Sequence, residues 1–419
     1  MMTSTTATSD AVSDLQSEVD AIVGQSAAAR AHVAALSGEI DRSGVSSPGM
    51  QIAWDVGVQR LSLPRQYGGL WDGTRTFELE AFAKIGIDYA AGEGSTGQGV
   101  QGTMIHLRNF FSPQHRPFAD EVYDTIGTAF AGPTEQRFVA SGNAIGITDN
   151  AGIRIAKVPG GVHINGATAF NSQSNGDGWI QVIGRILDDN GAPAGLGTAV
   201  VALNAPGVTP HNDWDNMGQR ATGSGTITFT DVFAPDGWHG PFDIKHVFGQ
   251  ELTALQGLLA GILTQGMGEG ALDAEIRFVT DNNRPTWGKA ASPSEDPLLQ
   301  RRLGEHYSRL AASRAALLTV AQRIENADDT TDFVAVERDA IAARMASGEA
   351  ALFVASDLFS STGARSTANK HALGQYWRNI RTIHTHAPNE DTAYIMIGNS
   401  LLTGTSPSEH LLSLLANAF

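Results

Sequence analysis

Residues 374–389 read GQYWRNIRTIHTHAPN. The stretch combines two aromatic residues, two arginines and two histidines, in a chain that is otherwise poor in charged and aromatic residues. It predicts a helix that ends before Pro388, because the residue preceding a proline avoids helical geometry. His384 and His386 then lie in the last turn, where the carbonyl end of the helix favours a cationic imidazole. Residues two apart on a helix point in nearly opposite directions, so at most one histidine can face a given pocket.

Composition excludes several classes of function. The chain has 419 residues, long enough for two or three domains, and its 44 acidic and 28 basic residues give a net charge of −16. This charge argues against nucleic acid or an anionic membrane as the main partner, because both need clustered Lys and Arg. The absence of cysteine excludes disulfides and thiolate chemistry. With neither a secretory signal nor an apolar run of about 18 residues, we expect a cytoplasmic protein.

Hydrophobic periodicity divides the chain into three parts. Helical spacing covers residues 11–40, 50–58, 77–89 and 103–111, and then residues 244–280, 297–327, 332–361 and 370–386. Between them lie short β-branched runs separated by Gly, Asn, Asp and Pro, a pattern typical of an antiparallel sheet or small barrel. We therefore predict an α+β protein. Its parts are an N-terminal helical domain (1–125), a central antiparallel β-barrel (126–238) and a C-terminal four-helix bundle (239–419).

Two motifs have weak support from their context. Residues 97–102 match G-x-G-x-x-G, but no apolar strand precedes them, so we expect helix packing on small residues rather than a dinucleotide site. His384 and His386, with Glu390 and Asp391 nearby, lack the spacing of a known ligand set. We therefore predict no metal site.

Several stretches together carry a family resemblance. Residues 213–225 read DWDNMGQRATGSG and run into TDVFAP at 230–235. An Asn-Gly turn at 165–166 leads into the loop FNSQS at 170–174, and a Gly-Ala-Arg triplet ends at Arg365. In this order the motifs resemble the acyl-CoA dehydrogenase superfamily. They are most similar to its flavin-dependent two-component monooxygenase branch, which includes dibenzothiophene monooxygenase and the oxygenase component of p-hydroxyphenylacetate hydroxylase.

The resemblance implies a chemistry. Reduced FMN or FAD would react with O₂ to give a C4a-hydroperoxide, which oxygenates a small aromatic, heteroaromatic, amine or sulfur substrate. A protected site and a hydrogen-bond donor near flavin N5 would prolong the life of that species. Nothing in the sequence suggests an NAD(P)H site, so a separate NAD(P)H:flavin reductase is implied, and the resemblance also implies a homotetramer.

The resemblance further implies roles for individual residues. Ser172 matches the loop serine beside flavin N5, and otherwise it caps a turn. His386 matches the bundle histidine that faces the flavin, while His106 and His384 are candidates for the substrate side. A satisfied core histidine is the alternative for His106, and Gln98 stands where the dibenzothiophene enzyme has a different histidine. The implied flavin contacts are Thr134, Ser172, Trp214, Ser224, Arg284, Arg365 (from a neighbouring subunit) and His386.

Two alternatives stay open. An acyl-CoA dehydrogenase needs a carboxylate base, and the position where the family usually has it is occupied here by Ala387. Glu251 on the first bundle helix is the remaining candidate for that base. A flavin-binding paralogue without turnover, acting as a scaffold or regulator, is the third class.

Overall fold

A computed structural model of the chain describes residues 9–74, 76–141, 152–188, 190–242, 250–281 and 290–409. Arg284 and the side chain of Glu251 lie outside the described residues, and so do several loop positions. The predicted order of helices, strands and helices is confirmed.

The N-terminal part is helical because its apolar residues recur every three or four positions. On the first helix, Val19, Ile22, Val33 and Ile40 are all buried. The fourth helix begins where the buried Glu93 side chain accepts hydrogen bonds from the first free backbone N–H groups. The helices are α1 (Ser9–Ser43), α2 (Ser47–Val56), α3 (Leu79–Gly92), α4 (Gly94–Phe110) and α5 (Asp120–Ala131).

A mixed sheet follows the N-terminal helices. The strands are β1 (Arg137–Ala140), β2 (Arg154–Val158), β3 (Gly161–Thr168), β4 (Gly178–Leu187), β5 (Pro193–Ala202), β6 (Val208–Pro210), β7 (Ile227–Pro235) and β8 (His239–Pro241). Their order is β6-β7-β3-β2-β4-β5-β8, with β1 beside β4. β1 and β2 both run parallel to β4, so the prediction of a purely antiparallel sheet was wrong. Closure into a barrel stays a prediction.

The C-terminal part returns to helices, which are α6 (Gln250–Asp281), α7 (Pro297–Glu325), α8 (Phe333–Thr362), α9 (Gly374–His384) and α10 (Glu390–Thr403). Asp296 caps α7 by accepting from Leu298 N and Leu299 N. One apolar cluster joins residues of α1 and α3 to Leu258 of α6 and Leu317 of α7, so both helical parts share a core. In the described part of the chain, no helix has the length and hydropathy needed to cross a bilayer. The predicted domain boundaries stay predictions.

Candidate functional site

Two loops at one end of the sheet are joined to each other, and we call them the paired loops: residues 170–174 and residues 219–225. Gln173 N donates to the carbonyl of Thr222 over 2.6 Å. Ser174 Oγ donates to the Gly223 carbonyl over 2.8 Å, and Asn171 Nδ2 donates to the Gly225 carbonyl over 3.1 Å. These bonds hold the loops in one fixed arrangement.

Helices α4 and α9 fix the paired loops in place. Gln219 N donates to Asn379 Oδ1 on α9 over 2.6 Å, and Ala221 N donates to Ser95 Oγ on α4 over 3.3 Å. Gly218 lies so close to the α9 backbone that an added Cβ would overlap the Arg378 carbonyl. Residues 374–389 therefore help to hold the paired loops in place, through Asn379 and the backbone of Arg378.

Three hydroxyl groups and one amide lie within the paired loops and beside them. Gln98 Nε2 on α4 is 2.9 Å from Ser172 Oγ, which is 2.8 Å from Ser224 Oγ. Ser224 Oγ is in turn 2.8 Å from Thr222 Oγ1. The structure thus brings the predicted residues Ser172 and Ser224 together. Gln98, which the sequence marked only as a departure from the family, is the partner of Ser172.

An aromatic pair borders the same loops. Trp214 donates through Nε1 to the Gln219 carbonyl over 2.7 Å. The Phe170 ring meets Trp214 edge-on, with 6.1 Å between ring centroids. Phe170 is 66% exposed and has a φ of 59°, a conformation that is costly for an aromatic residue. Sequence reasoning missed Phe170, although an aromatic residue two positions before Ser172 was a usable signal.

The loops fit a planar heterocycle with polar edges, as a flavin has. Phe170 and Trp214 supply apolar ring surface, and Ser172 supplies a hydroxyl. The side-chain oxygens Oε1 of Gln98 and Gln219 are buried without a hydrogen-bond partner. Unpaired buried acceptors are rare, and a ligand donor would satisfy them.

His106 lies two turns beyond Gln98 on α4, so the two side chains share a face with Gly102 between them. A Cβ added at Gly102 would meet nothing within 4 Å, which shows that this face borders open space. His106 Nδ1 is 2.9 Å from the Phe138 carbonyl. A carbonyl only accepts, so Nδ1 carries the proton and Nε2 is the free acceptor. Burial lowers the pKa of His106, which favours the neutral ring.

His384, the last residue of α9, and His386, two residues beyond it, have different surroundings. His384 is 3% exposed, and its ring packs on Gly348 of α8, where an added Cβ would overlap it. Its Nε2 lies 3.6 Å from Glu390 Oε2, and burial lowers the pKa of the ring. His386 is exposed, with Nδ1 3.2 Å from the carbonyl of Ala387. As predicted, the pair does not share one environment.

Arg344 of α8 holds the backbone of the turn that carries His386. It donates to the carbonyls of His386, Ala387 and Pro388 over 2.6, 3.4 and 2.9 Å. Arg344 is 2% exposed, and burial lowers its pKa to about 10. The sequence interpretation did not single out this arginine, because its distance from residue 386 along the chain gives no sign of contact.

The remaining predicted residues are less constrained. Thr134 lies in an exposed turn before β1, and Arg365 lies in an exposed 3-10 turn after α8. Arg284 is outside the described residues, so its predicted phosphate contact stays a prediction. The position of a dehydrogenase base holds Ala387, whose side chain cannot take a proton. Within the residues that the structure covers, no group of three potential metal ligands occurs.

Comparison with known proteins defines the class. The family described as Acyl-CoA dehydrogenase, C-terminal domain, matches residues 258–390. The structure also resembles FMN-bound TdsC from a Paenibacillus species, with a TM-score of 0.78 at 20% identity, covering 92% of this chain and 99% of that one. Methanesulfinate monooxygenase MsuC from Pseudomonas fluorescens gives 0.76 at 22% identity, covering 92% and 97%. The chain has the acyl-CoA dehydrogenase fold.

Proteins that are similar in sequence to this chain indicate one group within this fold. Dibenzothiophene monooxygenase from Rhodococcus erythropolis is 27% identical over 351 residues, which are 78% of this chain and 80% of that protein. The probable FMNH₂-dependent monooxygenase SfnC from Pseudomonas putida is 26% identical, covering 83% and 86%. In sequence the chain is thus similar to flavin-dependent monooxygenases, as the motifs predicted, and it has the acyl-CoA dehydrogenase fold.

Proposed function

We propose that the chain is the oxygenase component of a two-component system, and that it inserts one atom of O₂ into a small sulfur, heteroaromatic, aromatic or amine substrate. Reduced FMN or FAD, when bound, supplies the electrons that activate oxygen. The relatives named for dibenzothiophene and methanesulfinate support sulfur compounds as the first class to test.

The observation that carries this proposal is the link between the paired loops and α4. Ser172, bonded to Gln98 and Ser224, lies beside the aromatic pair, and the open face of α4 at Gly102 continues from Gln98. A flavin against the loops would leave that face for a small substrate. The chain's own residues would orient the ring, hold its polar edge and limit the entry of water.

Roles follow from these surroundings. Ser172 would hold the flavin edge near N5, while Phe170 and Trp214 would pack on the ring system. The free Nε2 of His106 would face the substrate space as an acceptor. His386 would face the flavin. His384, whose ring is buried against Gly348, would have a packing role instead.

The phosphate end of the flavin would be held by Arg284, Thr134 and, from a neighbouring subunit, Arg365. Ser224, which lies 2.8 Å from Ser172, would support the N5 end instead. The exposed position of Arg365 at the end of the bundle supports such a contact across subunits. Exposed apolar residues on α10, among them Ile395 and Leu402, support assembly into a homotetramer. The partner would be a separate NAD(P)H:flavin reductase that delivers reduced flavin, in the cytoplasm.

No observation favours the dehydrogenase alternative, because the usual position of the base is Ala387 and the side chain of Glu251 lies outside the described residues. A direct test supplies chemically reduced FMN and ¹⁸O₂ to the protein with dibenzothiophene, indole and methanesulfinate as probes. The proposal predicts one ¹⁸O atom in at least one product, read by mass spectrometry. Reduction of bound flavin by butyryl-CoA, with no labelled product, would establish the dehydrogenase instead.

A further inference from the structure

The hydroxyl groups of Thr222, Ser224 and Ser172 form a row of hydrogen bonds, which we call the hydroxyl chain. The hydrogen bond at its Thr222 end determines which group donates in each of the others. Thr222 Oγ1 lies 2.9 Å from the carbonyl of Gln219, and a carbonyl oxygen can only accept. The single proton of Thr222 is used there, so Ser224 must donate to Thr222 over their 2.8 Å contact. Because the proton of Ser224 is then used as well, Ser172 must donate to Ser224 over 2.8 Å.

Gln98 completes the chain at its other end. The amide nitrogen of Gln98 is 2.9 Å from Ser172 Oγ, and Ser172 has no proton left to donate, so the amide donates. This count fixes the orientation of the Gln98 amide by chemistry rather than by side-chain placement. The Gln98 Oε1 atom is then the unpaired, buried acceptor.

We propose that Thr222 is a positioning residue that, through Ser224, orients the Ser172 hydroxyl and thereby makes the site prefer reduced over oxidised flavin. This inference rests on the proposed function. With this orientation Ser172 offers a ligand a lone pair and no proton, so it is an acceptor and not the donor near N5 that the resemblance implies. Reduced flavin carries a donor, N5–H, whereas N5 of oxidised flavin is an acceptor. An acceptor on the protein therefore matches the reduced state and opposes the oxidised state.

The test compares the dissociation constant of dithionite-reduced FMN with that of oxidised FMN. Both constants are measured anaerobically by calorimetry with the full-length protein, and their ratio is the readout. Thr222→Val removes the hydroxyl group at the end of this row of hydrogen bonds. Ser224 is released from donating to residue 222, and the Ser172 proton becomes available to an acceptor. The Gln219 carbonyl still accepts from Trp214. We expect the preference for reduced FMN to fall by about three- to tenfold, the worth of one ordinary hydrogen bond.

Ser174→Ala is the matched control, because Ser174 also bonds the paired loops together but lies outside the chain. It should leave the ratio unchanged. If Thr222→Val does not fold by circular dichroism, Ser224→Ala removes the acceptor of the Ser172 proton and should lower the ratio likewise. An unchanged ratio in a folded, FMN-binding variant overturns the inference. A wild-type protein that binds neither state of FMN overturns the proposed function itself.

Discussion

His306 Nδ1 lies 2.7 Å from Glu275 Oε2, and both side chains are fully excluded from solvent. The other ring nitrogen, Nε2, is 3.1 Å from Asp357 Oδ2, so one imidazole joins α6, α7 and α8. Burial alone would lower the pKa of His306, but hydrogen bonds and charges of the two carboxylates raise it above its ordinary value. A protonated His306 between two carboxylates therefore holds this end of the bundle together.

The sign of the pH dependence follows from that raised pKa. The stabilisation is complete below the unfolded-state value of about 6.5 and is lost as pH rises through the folded-state pKa. We expect His306→Gln to reduce the free energy of unfolding at pH 6 by about 3–5 kcal/mol, because it leaves the fully buried Glu275 carboxylate without its cationic partner, whereas Asp357 keeps its ion pair with Arg302. Urea unfolding between pH 6 and 9 checks this. The loss of unfolding free energy in His306→Gln should shrink towards high pH. His32→Gln, on the exposed side of α1, is the control and should change the free energy of unfolding little. A loss in His306→Gln that does not depend on pH would contradict the role of a protonated His306.

Gly102 tests the substrate space on α4. Because a Cβ there meets no atom, Gly102→Ala should fold normally and gain about 0.5–1 kcal/mol of stability from better helix propensity. Gly102→Phe should fill the space between Gln98 and His106 and abolish oxygenation while FMN binding persists. Product yield and FMN affinity, measured together, check both variants. Gly24→Phe, at an equally open position on α1, is the control, and undiminished product formation by Gly102→Phe would exclude this substrate position.

His106 tests the substrate-side role. Its lowered pKa keeps the ring neutral at neutral pH, so activity that needs a free Nε2 should fall only when pH drops below the ordinary histidine value of about 6.5. His106→Phe should lower kcat/KM by about 10²-fold if Nε2 takes a proton from the substrate. His106→Gln should retain FMN binding. A pH profile of kcat/KM for the wild type and for His106→Gln distinguishes a proton acceptor from a packing residue. If His106 only packs, the fall in kcat/KM at acidic pH should persist in His106→Gln.

Arg344 tests whether the turn after α9 must be held in place. Arg344→Met removes bonds to three carbonyls while keeping most of the apolar stem, so we expect a loss of about 2–4 kcal/mol in stability. His386 should also become mobile, with weaker FMN binding. Arg381→Met, on α9 itself, serves as the control. Thermal unfolding and FMN titration measure both effects, and an Arg344→Met protein with unaltered FMN affinity would separate the turn from the flavin site.

The sequence predicted the order of elements because long amphipathic helices carry a strong periodic signal. Helix α4 shows the value of context, since Gly97 and Gly99 of its G-x-G-x-x-G pack closely on neighbouring residues as expected, whereas Gly102 borders open space. The short strands β1, β6 and β8 were missed, because three or four residues carry no clear alternation. The parallel pairing of β1 with β4 was missed for another reason: strand direction depends on the path of the chain between elements, which periodicity does not record.

The candidate site was predictable in part. Ser172, Trp214 and Ser224 came from motifs with a known order, and Ser172 and Ser224 do meet. Gln98 and Arg344 act through partners that lie far away along the chain, so no local pattern marks them, whereas the position of Phe170 two residues before Ser172 was a usable signal. The resemblance assigned His386 to the flavin side and His384 to the substrate side, but it did not reveal that the His384 ring is buried against Gly348.

The central claim is that flavin held at the paired loops meets oxygen in a protected site. Stopped-flow absorbance of the protein with reduced FMN, mixed with O₂, tests it most directly. The account predicts a transient oxygen adduct of the flavin that decays more slowly than in free solution, and faster decay with H₂O₂ release in Ser172→Ala. Immediate formation of oxidised FMN at the rate seen without protein would contradict it.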